Sequence, residues 1–145
     1  MDNPISMLLL LTGGGVFIGM LVATLEAIRL LQAKKNEQDG ANVILSVLFG
    51  GFIFLCTPVV KMFYAVIVSI GAAQKAEVSP NVMMVTGVLF AVVAIVQGLL
   101  ASRFAKASET DTLAVISAKL PLRLLGLFLI EVVAIVAMVF TLIFA

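Results

Sequence analysis

Residues 122–145 read LRLLGLFLIEVVAIVAMVFTLIFA, a run whose charged residues are Arg123 near its start and Glu131 near its middle. About 20 apolar residues suffice for a helix to cross the hydrocarbon core of a bilayer. A carboxyl group inside such a helix is costly in its charged form, and intramembrane acids usually serve a function. Glu131 is therefore predicted to bind or carry a proton or a small cation. The alternative is a carboxyl group that a neighbouring helix merely satisfies.

The composition describes a protein that lies almost entirely in a membrane. Hydrophobic residues make up 63% of the 145 positions and the mean hydropathy is +1.26, whereas a soluble domain is about 45–50% apolar. A net charge of +1 argues against a nucleic-acid partner. Histidine is absent, which removes the commonest metal ligand. The single cysteine, Cys56, forms no disulfide within the chain, and no phosphate-binding loop is present.

Four stretches are long and apolar enough to be membrane spans, and they predict an all-α fold. They cover about 5–31, 43–73, 82–104 and 113–145. Lysine and arginine are concentrated around the loops at 32–42 and 105–112, whereas the middle loop holds only Lys75. The positive-inside rule then places those two loops in the cytoplasm and both termini outside.

The second half of the chain resembles the first, which predicts two tandem antiparallel helical hairpins, residues 1–75 and 76–145. Aligning the halves sets Glu26 against Gln97 and, after a slip of one residue, Lys61 against Glu131. The repeat is parallel, so both hairpins have the same orientation in the membrane. Each hairpin then carries two polar residues at depth.

These four polar residues predict one ion site and one structural pair. Gln97 and Glu131 lie about 22 Å and 21 Å from the outer ends of their spans at a rise of 1.5 Å per residue. They are therefore expected to lie at one level, with the amide bonded to the carboxyl group. Glu26 and Lys61 have opposite charges and are predicted to neutralise each other. The alternative is Lys61 facing Glu131, which would hold the carboxylate ionised and weaken any ion-carrying role.

Two stripes of small residues run along the first and third spans. Small stripes allow membrane helices to pack closely. They are compatible with packing inside one chain and with helices that line the inner side of a closed ring of copies. The stripes consist of Gly15, Gly19, Ala23 and Ala27 in the first span and Gly87, Ala91, Ala94, Gly98, Ala101 and Ala105 in the third.

Several short motifs together resemble the rotor-ring proteolipid of V-type and A-type ATPases, the subunit called K or c. The family's fourth helix carries an ion-binding Glu followed after two residues by Ala-Ile, as in Glu131-Val-Val-Ala-Ile. Its third helix carries an ion-site Gln followed by Gly, as in Gln97-Gly98. Its second helix often reads Pro-x-x-Gln-x-x-Tyr, which Pro58-Val-Val-Lys61-Met-Phe-Tyr64 matches except for the lysine.

The resemblance implies a non-catalytic, ion-translocating subunit of an ATP-driven or ATP-synthesising complex. Glu131, Gln97 and Tyr64 would form the ion site, and the partners would be further copies in a ring, central-stalk subunits and a stator subunit with an essential arginine. Lys61 and Val60 stand where sodium-binding members offer an amide and a hydroxyl, which favours a proton over sodium. No cofactor is implied. Two alternatives are a small four-helix transporter or accessory subunit that forms no ring, and a purely structural membrane scaffold.

Overall fold

The computed structural model describes residues 3–34, 40–108 and 110–145, and the described residues contain four helices and no strand. The bounds are Pro4–Lys34 for α1, Gly40–Ala73 for α2, Pro80–Ser108 for α3 and Leu113–Phe144 for α4. All four are long and apolar enough to cross a membrane. This confirms the all-α membrane fold, whereas the two tandem hairpins and the sidedness of the termini stay predictions.

The helices extend beyond the apolar spans that the sequence delimits. Helix α1 continues to Lys34, α2 begins at Gly40 and α3 continues to Ser108, so the predicted loops at 32–42 and 105–112 are shorter than expected. Hydropathy marks only the part of a helix that lies in hydrocarbon. Alanine, lysine and glutamine are good helix formers, and a helix that contains them continues past that boundary. Part of the first loop lies outside the described residues.

Two helices begin with the same local signal. Asn3 and Pro4 start α1, and the Asn3 side-chain oxygen accepts a hydrogen bond from the backbone N–H of Ile5 at 2.9 Å. Ser79 and Pro80 start α3 in the same manner. A short polar side chain satisfies the free N–H groups of the first turn, and proline fits the first helical position because it has no N–H to leave unpaired.

Contacts between side chains give the directions of the helices. Thr86 meets Thr141 at 2.5 Å, and Arg123 lies over the ring of Phe104 at 4.3 Å, so α3 and α4 run antiparallel. Gly71 of α2 packs on Leu142 of α4, near the ends of both helices.

Lys61 of α2 bonds to Glu131 of α4 further from the ends of the same two helices. Together with the contact between Gly71 and Leu142, this shows that α2 and α4 run parallel. Lys75, just after α2, donates hydrogen bonds to the backbone carbonyl oxygens of Leu142 and Ala145 at 2.9 and 2.7 Å. It thereby holds the end of α4 beside the end of α2.

Helix α1 packs most closely on α3, and the small residues are the reason. A methyl group added at Gly15 would overlap the backbone of Ala91, and one added at Gly98 would overlap the backbone of Gly19. Contacts this close require glycine, because any side chain would push the backbones apart. The two stripes therefore pack on each other inside one chain.

Helix α2 touches the other three helices, and α1 and α4 do not meet within the described residues. Helix α4 leaves most of its apolar side chains exposed. A large exposed apolar surface on a membrane helix faces lipid or another protein. Lys61, Gln97 and Glu131, by contrast, lie where α2, α3 and α4 converge.

Candidate functional site

The site is built around one oxygen atom of Glu131 that receives two hydrogen bonds from two other helices. Lys61 of α2 donates from Nζ to Glu131 Oε2, and Gln97 of α3 donates from Nε2 to the same oxygen at 2.7 Å. Lys61 Nζ also donates to the backbone carbonyl oxygen of Thr57 at 2.8 Å. Three helices are thus joined through a single carboxylate.

Burial makes these contacts strong. Lys61 is 0% exposed and Gln97 is 0% exposed, whereas the Glu131 side chain retains 14%. Charged groups attract more strongly away from water because the surrounding dielectric constant is low. Breaking a buried pair by removing one partner leaves an uncompensated charge, which is strongly destabilising. Removing either Lys61 or Glu131 alone is therefore expected to lower the free energy of unfolding.

The remaining acceptors of the site are buried oxygens. Glu131 Oε1 and Gln97 Oε1 are both buried, and neither has a hydrogen-bond partner among the described residues. Buried polar atoms are normally paired, and an unpaired one calls for an explanation. Both oxygens can accept but not donate, so a hydroxyl group, an N–H group or a water molecule that donates a hydrogen bond would satisfy them, as would a cation.

A cavity of about 610 Å³ lies beside the carboxylate, between α2 and α4. Its wall includes Thr57, Tyr64 and Glu131, and the rest is apolar. The ring of Tyr64 packs near Phe90, with centroids 6.1 Å apart, and its centroid lies 6.0 Å from Lys61 Nζ. Tyr64 therefore lines the same cavity as Glu131, whereas its part in an ion site stays a prediction.

Glu131, Gln97, Tyr64 and Lys61 are brought together in the structure, and Glu26 is not among them. The prediction that Glu26 pairs with Lys61 is wrong, because Lys61 bonds to Glu131. Glu26 instead pairs with Arg29 of its own helix, one turn further on, at 2.6 Å. The alternative pairing that the sequence left open is the one that the structure contains.

Glu26 lies away from Lys61 because of the register of α1 against α3. Gly15 packs on Ala91 and Gly19 on Gly98, so residues at one level differ by about 77 in number, whereas the repeat alignment used 71. Gln97 then lies level with the region of Met20 in α1. Glu26 is about six residues, or about 9 Å, further along the helix, and its charge is compensated locally.

The sequence analysis did not identify the backbone carbonyl oxygen of Thr57 as an acceptor for Lys61, although the spacing of the two residues indicates this contact. Thr57 precedes Lys61 by four residues, one turn of the same helix, so a long side chain at Lys61 can reach back to it. The contact between Thr86 and Thr141 was also missed. Each threonine lies on an apolar helix, and nothing in the sequence alone says that the two face each other.

No group of three or more histidine, cysteine, aspartate or glutamate side chains that could hold a metal ion is found among the described residues. Comparison with protein-family models gives no match, and comparison with curated proteins gives none either.

Proposed function

We propose that this chain is a rotor-ring subunit of a V/A-type rotary ATPase that translocates protons through Glu131. The observation that carries the proposal is the hydrogen bond from Gln97 to Glu131 at 2.7 Å within the apolar spans. It joins the two residues that match the family's ion-site motifs in helices three and four. The ATP site, the stator arginine and the central stalk belong to other subunits of such a complex.

In this proposal Glu131 takes up and releases the proton. A lone carboxylate is costly in hydrocarbon, but paired with the Lys61 ammonium it forms a site with no net charge. The Lys61 ammonium favours the ionised carboxylate, so in this proposal Glu131 takes up a proton when its contact with Lys61 opens, and the proton adds to Oε1, which has no partner in the described residues. A proton is favoured over sodium because the Lys61 ammonium already stands against Oε2.

The proposal is tested by replacing Glu131 with glutamine in membranes that contain the assembled complex. Glutamine keeps the shape and hydrogen bonding but cannot ionise. We expect Glu131→Gln to abolish ATP-driven proton uptake into vesicles, while circular dichroism shows unchanged helix content. The matched control is Glu26→Gln, which removes a carboxyl group paired only with Arg29 in the described residues and should leave uptake intact.

Retained uptake in Glu131→Gln would contradict the proposal and favour a structural scaffold. Loss of uptake in both variants would show that the assay reports general damage to the membrane helices. The third informative result is loss in Glu26→Gln alone, which would move the carrier role to Glu26.

A second candidate is a small transporter or accessory subunit that forms no ring. The observation that favours it is the Lys61–Glu131 pair, because the carboxylate is compensated inside one chain and needs no neighbouring copy to complete the site. The two candidates differ in oligomeric state, which native mass spectrometry in mild detergent measures.

A further inference from the structure

Arg123 of α4 carries a positive charge that no acid among the described residues pairs with. Its guanidinium group lies over the ring of Phe104 in α3 at 4.3 Å, and its buried Nη1 atom has no hydrogen-bond partner among the described residues. Asp111, just before α4, pairs with Lys119 at 2.8 Å instead. A buried N–H donor without a partner calls for an explanation.

Two further cations lie at the same depth in the bundle. Because Phe104 faces Arg123, its neighbours Arg103 and Lys106 in α3 lie within about 3 Å of Arg123 along the helix axis. Both are exposed, and neither forms an ion pair in the part of the chain that the structure describes. Three positive charges are thus gathered at one level of the bundle.

This level coincides with the edge of the hydrocarbon. Arg123 and the end of α4 at Phe144 are about 32 Å apart at 1.5 Å per residue, whereas the hydrocarbon core of a bilayer is about 30 Å thick. Leu122 and Leu125, close to Arg123 in the sequence, are 75% and 54% exposed. The surface around the guanidinium group is therefore apolar and suits contact with lipid.

We propose that Arg123 binds the phosphate group of an anionic phospholipid, while Arg103 and Lys106 supply further positive charge at the level of the headgroups. A guanidinium group presents its N–H donors as a planar fork that matches two phosphate oxygens. Stacking on Phe104 holds that plane in place. Basic pockets between membrane helices are typical binding sites for acidic headgroups.

Two other partners fit these observations less well. A zwitterionic phospholipid offers the same phosphate group, but its own ammonium group would add a fourth cation to this level. An acidic soluble protein would have to reach Arg123 past the exposed leucines at the edge of the hydrocarbon. The inference is separate from the proposed function, because Glu131 lies about 12 Å deeper along α4 and lipid binding requires no ion transport.

The test measures lipid binding to the purified full chain in an uncharged detergent. Native mass spectrometry counts the phosphatidylglycerol molecules that stay bound as the lipid is titrated, with phosphatidylcholine as the zwitterionic comparison. We expect the wild type to retain phosphatidylglycerol at lower concentration than phosphatidylcholine. Arg123→Gln should weaken retention of phosphatidylglycerol about tenfold, because hydrogen bonds between charged groups are strong. Equal retention of the two lipids by the wild type would overturn the proposal.

Arg29→Gln is the matched control for net charge. Arg29 is 67% exposed and already paired with Glu26, and the register of α1 against α3 places it at about the depth of Lys106. Its replacement should leave phosphatidylglycerol binding unchanged. Arg123→Lys keeps the charge without the planar fork, so its retention should fall between those of the wild type and Arg123→Gln. Equal weakening by Arg29→Gln and Arg123→Gln would show that only net charge matters and would overturn the proposal.

A further variant and two soluble probes complete the test. If Arg123→Gln does not fold, Arg103→Gln combined with Lys106→Gln changes only exposed side chains and should still weaken retention of phosphatidylglycerol; unchanged retention overturns the proposal. Glycerol phosphate at millimolar concentration should not displace the lipid from the wild type, and displacement would identify a soluble phosphate compound as the ligand. Binding of polyglutamate without retention of phosphatidylglycerol would instead identify an acidic protein surface as the partner.

Discussion

At the scale of single residues, the account depends on which acid Lys61 neutralises. Lys61 and Glu131 share a hydrogen bond inside the membrane-spanning part of the chain, and Gln97 donates to the same carboxylate oxygen. Continuum arguments and experiments agree that a buried pair is often no more stable than an apolar replacement, whereas a stranded charge is very costly. The pair is therefore best measured by removing both partners as well as each alone.

A double-mutant cycle gives that measurement. Lys61→Met alone and Glu131→Leu alone should each destabilise the protein by about 3–5 kcal/mol, because each strands a buried charge. The double variant should recover much of the summed loss, so the coupling free energy should reach about 3 kcal/mol or more, at the upper end of the range found for residues in contact. Denaturant unfolding in detergent provides the four free energies.

The matched cycle between Lys61 and Glu26 should give additive losses. Coupling in that cycle, together with additivity between Lys61 and Glu131, would reverse the assignment of partners. The sequence alone could name Lys61, Glu26 and Glu131 as the charged residues that need compensation. It could not choose among them, because the choice depends on a register that the weak internal repeat misplaces.

At the scale of helices, the close approach of α1 and α3 fixes that register. Glycine at three positions of the two small-residue stripes allows the backbones to touch: Gly15, Gly19 and Gly98. The stripes were evident in the sequence, and they predicted close packing correctly. The sequence did not show which helix each stripe packs on, because small residues fit a helix of the same chain and a helix of another copy equally well.

Two glycine substitutions on α1 separate packing from helix propensity. Gly15→Ala places a methyl group against the backbone of Ala91, whereas Gly14→Ala places one where no atom of the described residues outside its own helix backbone lies within 4 Å. Alanine favours a helix over glycine by about 1 kcal/mol. We therefore expect Gly14→Ala to keep or raise the unfolding midpoint and Gly15→Ala to lower it. Equal midpoints for the two variants would show that α1 and α3 are not in contact at this level.

At the scale of the whole molecule, the exposed apolar face of α4 bears on how many copies assemble. Helix α4 exposes large apolar side chains along its length, among them Phe128, Val136 and Phe140. Either lipid or a neighbouring copy can cover such a surface. The exposed face of α4 therefore fits a single chain surrounded by lipid and an assembly of several copies equally well. A ring follows only from the family resemblance.

Native mass spectrometry in mild detergent decides the assembly. A rotor-ring subunit should give one high and uniform stoichiometry that persists as the detergent is varied. A monomer or dimer under every mild condition would contradict the ring and favour the transporter or accessory subunit. The intramembrane pair does not depend on this outcome, because Lys61 and Glu131 belong to one chain.

Zero-length cross-linking with an apolar carbodiimide can show whether Lys61 and Glu131 lie in contact inside one chain. The reagent activates the Glu131 carboxyl group, the Lys61 amine attacks the activated carbon, a urea leaves, and an amide bond joins the two side chains with net loss of one water. Peptide mass spectrometry of the monomeric chain should find the Lys61–Glu131 link, and Glu131→Gln should abolish it. A link from Lys61 to Glu26, or a carbodiimide adduct on Glu131 with no cross-link in the wild type, would show that Lys61 does not lie against Glu131.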